Sequence, residues 1–168
     1  MKTTTIELAL SAKGINKAIK QLEAYKKRIQ KRLEQLIEVM CEQGETYAIN
    51  SLGHIDTGLT LSTIFSYREG NRGVISAGGH AIWIEFGTGA KGLESSHPSG
   101  DWLNTADWNY CVGETIFFTA NGKVGWYFPD DDGTWKFTEG IESQHFMYDA
   151  AMNLMRTFRT NAQKVFSK

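Results

Sequence analysis

The chain has 168 residues, 41% of them hydrophobic and 22% charged, with only two prolines; this is enough for one sizeable core and excludes wholesale disorder. No apolar run is long enough to span a bilayer as a helix, and Met1 to Leu10 lacks the apolar core of a signal peptide, so a cytoplasmic product without a membrane partner is expected. The net charge of -1 hides a segregation: residues 1–34 carry nine basic and three acidic side chains, 35–142 carry five and fifteen, and 143–168 carry four and one.

From Thr4 to Ser11, Ile6, Leu8 and Leu10 alternate with polar residues, which predicts a short strand broken by Gly14. A long helix is expected from about Ile15 to Asn50. Ile15, Ile19, Leu22, Ile29, Leu33, Leu36 and Met40 fall at spacings of four and three, a heptad seam with Lys26 as its gap. Lys17, Lys20, Lys27, Lys31 and Arg32 take the opposite face. At ~1.5 Å per residue the helix reaches roughly 50 Å, longer than a sheet in so small a domain requires. It is therefore expected to project or to pack along neighbours, with Lys27 and Lys31 as candidate partner contacts. The plainer reading is an amphipathic helix lying on its own sheet, with a solvated lysine face. Gly44 is a candidate for its end or a bend.

Leu59, Leu61, Ile64, Phe65 and Tyr67 predict a strand, Glu69 to Gly73 a turn, and Val74 to Ser76 the returning strand. Ala81 to Phe86 is a short apolar segment ending in Gly87-Thr88-Gly89. Residues 90–112 are expected to be loop, in which Trp102 and Trp108 are candidate partner contacts. A second hairpin is expected from Thr115 to Thr119 and from Lys123 to Phe128, around Asn121-Gly122. Pro129 to Gly133 forms a turn before Trp135 to Thr138, and Trp126 and Trp135 read as core. The last helix is expected from Ser143, acting as N-cap, with Phe146, Met147, Ala150, Leu154, Met155 and Phe158 as its apolar stripe, continued by Val165 and Phe166. The order predicts an α+β fold: a long N-terminal helix and a C-terminal helix packed on an antiparallel β-sheet. One domain, 1–168, is expected, with 1–50 the strand and long helix, 51–142 the sheet and aromatic loop, and 143–168 the last helix.

Enzyme signatures are sparse. There is no Gly-x-Ser-x-Gly elbow and no His-Glu-x-x-His helix. Gly87 to Gly92 fails as a phosphate loop, because Leu93 stands where lysine is needed. None of His54, His80, His97 and His145 pairs with another His or Cys at metal-ligand spacing. Asp130-Asp131-Asp132-Gly133 lies between strands and lacks the alternation of a calcium loop, so it reads as an acidic hairpin tip. Cys41 and Cys111 are expected to be reduced and buried. No cofactor, metal or catalytic residue is assigned, and the acidic middle disfavours a nucleic-acid backbone.

Three segments carry a resemblance. They are Asp56-Thr57-Gly58 after the long helix, the run Ala81 to Gly89 that contains Trp83, Glu85, Phe86, Gly87 and Thr88, and the run Gly140 to Ala150 that contains Phe146 and Met147. In that order the chain resembles the head–tail joining or tail-completion proteins of tailed bacteriophages, often labelled minor capsid or neck proteins. Thr60 and Thr63 depart from the Leu and Ser usual after the first motif, while Ile64 matches. The resemblance implies a virion protein, assembled in the host cytoplasm and seated at the head–tail joint. It implies no enzyme; the subunit forms a ring with copies of itself between the portal or connector and the tail tube, and contacts other connector or tail proteins. Glu85 is expected to be a buried or interface carboxylate holding the glycine turn, and Phe146, Met147 and Ala150 to pack the last helix on the sheet. Two other readings stand beside this one: an unrelated oligomeric binding module using the aromatic loop, and a hydrolase built on His54, Asp56 or the acidic tip.

Overall fold

The first helix, α1 (Ala12–Ser51), starts where Ser11 leaves the helical conformation and its hydroxyl accepts the Gly14 amide at 3.1 Å. In this computed structural model the described residues are 6, 11–52, 60–95, 97–99, 117–118, 122–130 and 132–167. Most of the expected 4–11 strand, the Asp56-Thr57-Gly58 motif, His54, Cys111 and the loop with Trp102 and Trp108 lie outside them.

Gly44 does not end α1. It is buried inside the helix, and a Cβ there would stand 2.1 Å from the Ile75 side chain and 2.8 Å from that of Leu154. The missing side chain is what lets the neighbouring elements pack closely. One of them is the antiparallel hairpin β1 (Phe65–Glu69) and β2 (Arg72–Ser76), in register Phe65↔Ser76 through Glu69↔Arg72. The strand expected from Leu59 starts only at Phe65, because Leu61–Thr63 turns as a 3-10 helix whose Thr63 hydroxyl donates to the Thr60 carbonyl at 2.7 Å. The hairpin is tied to α1 by Glu45, which accepts the Ser66 amide at 2.8 Å and its hydroxyl at 2.6 Å. Buried Cys41 lies against it with a free thiol.

The segment Ala81–Phe86 is helical, α2, and a second short helix, α3 (Gly89–Glu94), follows the glycine turn. A three-stranded antiparallel sheet is built from β3 (Phe117–Phe118), β4 (Val124–Pro129) and β5 (Trp135–Thr138). Trp135, expected in the core, is 66% exposed: among the described residues β5 pairs only with β4, and the Trp135 side chain stands largely in water.

The last helix, α4 (Phe146–Ser167), begins three residues later than expected and Ser143 does not cap it. It runs antiparallel along α1. Phe146 and Ala150 meet the Ala48 level, Leu154 the Gly44 level, Asn161 reaches Gln43 at 2.6 Å, and the Phe166 carbonyl accepts from Arg32 at 2.7 Å. The core gathers Ala48, Ile64, Ala81, Ile84, Phe146 and Ala150, so Phe146 and Ala150 pack against α1 and α2 rather than onto a sheet. Met155 and Phe158 face outward, since a helix wedged against one long neighbour buries only a narrow stripe. The architecture is α+β, with two long helices and, among the described residues, two small antiparallel sheets instead of one.

Candidate functional site

Two of the sequence motifs interlock. After α2 the chain turns at Gly87, whose φ of 78° favours glycine, and a Cβ there would stand 2.8 Å from both the Ile141 carbonyl and the Ser143 amide. Thr88 donates its amide to the Ile141 carbonyl at 2.9 Å and accepts the Ile141 amide on its hydroxyl at 3.1 Å. The Lys91 amide reaches the Glu139 carbonyl at 3.2 Å. Gly140, at φ 95°, lies so close that a Cβ would fall 1.9 Å from the Thr88 carbonyl oxygen. The run 81–89 and the run 140–150 thus form one knot of backbone hydrogen bonds.

Glu85 is its centre. The residue is buried, yet its carboxylate turns away from the glycine turn and toward the start of α4. One oxygen accepts the Met147 amide at 2.8 Å, and the other accepts the Tyr148 amide at 2.9 Å. These are orphan donors in the first turn of α4, and a negative charge there also meets the positive end of the helix dipole. Glu85 therefore performs the task expected of Ser143, from far away in sequence. Ser143 donates its hydroxyl to the Glu85 carbonyl at 2.6 Å, and the His145 amide adds a second bond there at 3.1 Å.

The third donor to the carboxylate is the buried His97, whose Nε2 lies 3.0 Å from Oε1. Nδ1 of the same ring accepts the Ser99 amide at 3.1 Å, which leaves Nε2 to donate to the carboxylate. The ring packs on Phe86 with centroids 4.5 Å apart. The sequence reading missed His97 and Ser99, because a lone histidine before a proline carries no spacing signal. The Ser99 hydroxyl also contacts Nδ1, which outlines a Ser–His–Glu chain. That lone pair is already taken by the Ser99 amide, and the carboxylate is committed to three donors, two of them first-turn amides of α4. Beside it opens a cleft of about 620 Å³, walled by Ile82, Phe86, Met147, Tyr148 and Ala151. It offers apolar contact, with the polar atoms of Glu85 and His97 turned to one another.

No family model, no curated protein and no solved structure matches this chain. Among the described residues no group of three or more His, Cys, Asp or Glu is placed to hold a metal.

A second region stands out on the surface. Arg32 meets the C-terminal end of α4, and α1 runs on past it toward its own N-terminus. Residues 12–28 of this overhang extend about 25 Å. There Ile15, Ile19, Leu22 and Tyr25 are exposed, while Ala18 is buried. Arg28 sits over the Tyr25 ring at 5.2 Å. Lys27 and Lys31 are exposed along the same helix, and Trp83 is exposed on α2, its ring tilted against that of His80 with centroids 4.8 Å apart.

Proposed function

We propose that this chain is a virion structural protein of the head–tail joint of a tailed phage, acting by ring assembly between the portal or connector and the tail tube rather than by catalysis. Its partners are then copies of itself and neighbouring connector or tail proteins. What supports the reading is the overhang of α1: a stretch of about 25 Å with a heptad-spaced apolar stripe, carried past the end of the domain's other long helix. A helix that served only its own core would end with the core. The charge segregation of the chain agrees, since a basic end and an acidic middle suit head-to-tail contacts that close into a ring. So does the knot between 81–89 and 140–150, which gives the two motifs of the resemblance a shared structural task.

The test is electron microscopy of a lysate of the parent phage with this gene interrupted. DNA-filled heads beside unattached tails are expected, and tail length distinguishes joining from length termination. Intact infectious particles would overturn the reading and bring forward an oligomeric binding module outside the virion.

A further inference from the structure

We propose that the stripe of α1 docks onto the outer face of the β4–β5 hairpin of a second copy of this chain, a head-to-tail contact that rests on the assembly reading above. Both surfaces carry large apolar side chains that stand about half or more exposed among the described residues, although Ala18 within the stripe is buried. On the helix, Ile15, Ile19 and Leu22 follow one another at spacings of four and three, each between 44% and 53% exposed. Lys26 comes next in the same row, one turn on.

On the sheet, the register sets Tyr127 opposite Phe137 and Pro129 opposite Trp135. Side chains alternate along a strand, so these four share one face. Tyr127 packs edge-on to Phe137, with centroids 5.3 Å apart, and Trp135 stands beside them with most of its surface in water. An aromatic face of this kind on a three-stranded sheet is a docking surface rather than a core. Its tip is acidic: Asp132 is exposed, and Asp130 is already engaged by Lys136.

Charge decides which surface meets which. Residues 12–32 carry eight basic side chains and one acidic, while residues 127–142 carry five acidic and one basic. Pairing two stripes would join two strongly positive helices. Pairing two sheets would join two acidic tips. Stripe on sheet is the combination that buries apolar area while bringing opposite charges together. Because the two surfaces differ, each docked copy leaves one of each kind free, and the assembly grows until the rotation closes it.

Two half-blind variants test this. Ile19→Glu with Leu22→Glu spoils the stripe, and Tyr127→Glu with Trp135→Glu spoils the sheet face. All four residues are exposed, so far-UV circular dichroism should match the wild type. By sedimentation velocity the wild type should form higher oligomers and each variant alone should stay monomeric. Their equimolar mixture should form a one-to-one dimer that grows no further, because one live stripe meets one live face. If the sheet variant assembles alone, the contact joins two stripes and the proposal falls. If both variants assemble like the wild type, another surface is responsible. A wild type that stays monomeric up to about 1 mM would overturn the self-contact. The lysate experiment would still judge the place in the virion separately, where only a partner protein would then receive the stripe.

Discussion

Replacing Glu85 should unfasten the start of α4. Glu85→Ala leaves the Met147 amide, the Tyr148 amide and His97 Nε2 without their acceptor. A buried donor stranded in this way costs about 1–3 kcal/mol. Water in the neighbouring cleft relieves part of that, so the loss should lie near the lower end for each, about 3–5 kcal/mol together. For a chain of this size each kcal/mol moves the melting midpoint about 2–4 °C, which sets the expected fall at roughly 6–20 °C. Glu85→Gln keeps the volume and one acceptor oxygen but points an amide NH2 at a backbone N–H; it should lose about 1–3 kcal/mol. Urea unfolding followed by circular dichroism should therefore rank wild type above Glu85→Gln and Glu85→Gln above Glu85→Ala. Exposed Glu94→Ala, the control, should change stability by less than about 0.5 kcal/mol. Should Glu85→Ala unfold with the control, the carboxylate does not hold the helix and the account of the knot is wrong.

Phe146 is fully buried among Ala48, Ile64 and Ile84, so Phe146→Ala should cost about 3–5 kcal/mol in the same assay, and an unshifted midpoint would count against that packing. Gly140→Ala must fit a Cβ against the Thr88 carbonyl at a positive φ, and should lose more than about 1 kcal/mol, measured by thermal unfolding. The Thr134 amide, helped by its side chain, holds the Asp132 carboxyl below its ordinary value. A depressed carboxylate adds its contribution above the ordinary pKa and loses it as the pH falls through the lower folded value. Carboxyl NMR should place its midpoint below that of an unfolded reference, Thr134→Pro should return it, and a wild-type midpoint at the ordinary value would refute the turn bond.

Local periodicity was enough for much of the fold. The spacing of Leu33, Leu36 and Met40 makes a helix wherever it is placed, and so does that of Phe146, Ala150 and Leu154; both helices are present with their ends within a few residues. Glu69 to Gly73 and Pro129 to Gly133 announced turns by composition alone, and chains reverse at both. Ala81 to Phe86 is too short for its apolar run to separate strand from helix. Its helical state is set by α4 and Ile64 packing onto it. Trp135 misled because its size argues for burial, whereas exposure depends on which side of an edge strand the register leaves open.

The candidate site divides in the same way. Residue order alone determined that Glu85 stands in an apolar run before a glycine turn, and that a basic apolar helix precedes an acidic aromatic region. Only the tertiary structure decided that Glu85 caps α4, because its partners are backbone amides some sixty positions away, and no local pattern marks a donor that any residue could supply. It also decided that α1 outruns α4. Heptad spacing states which residues share a stripe, but whether that stripe faces a core or open water depends on where the neighbouring helix ends.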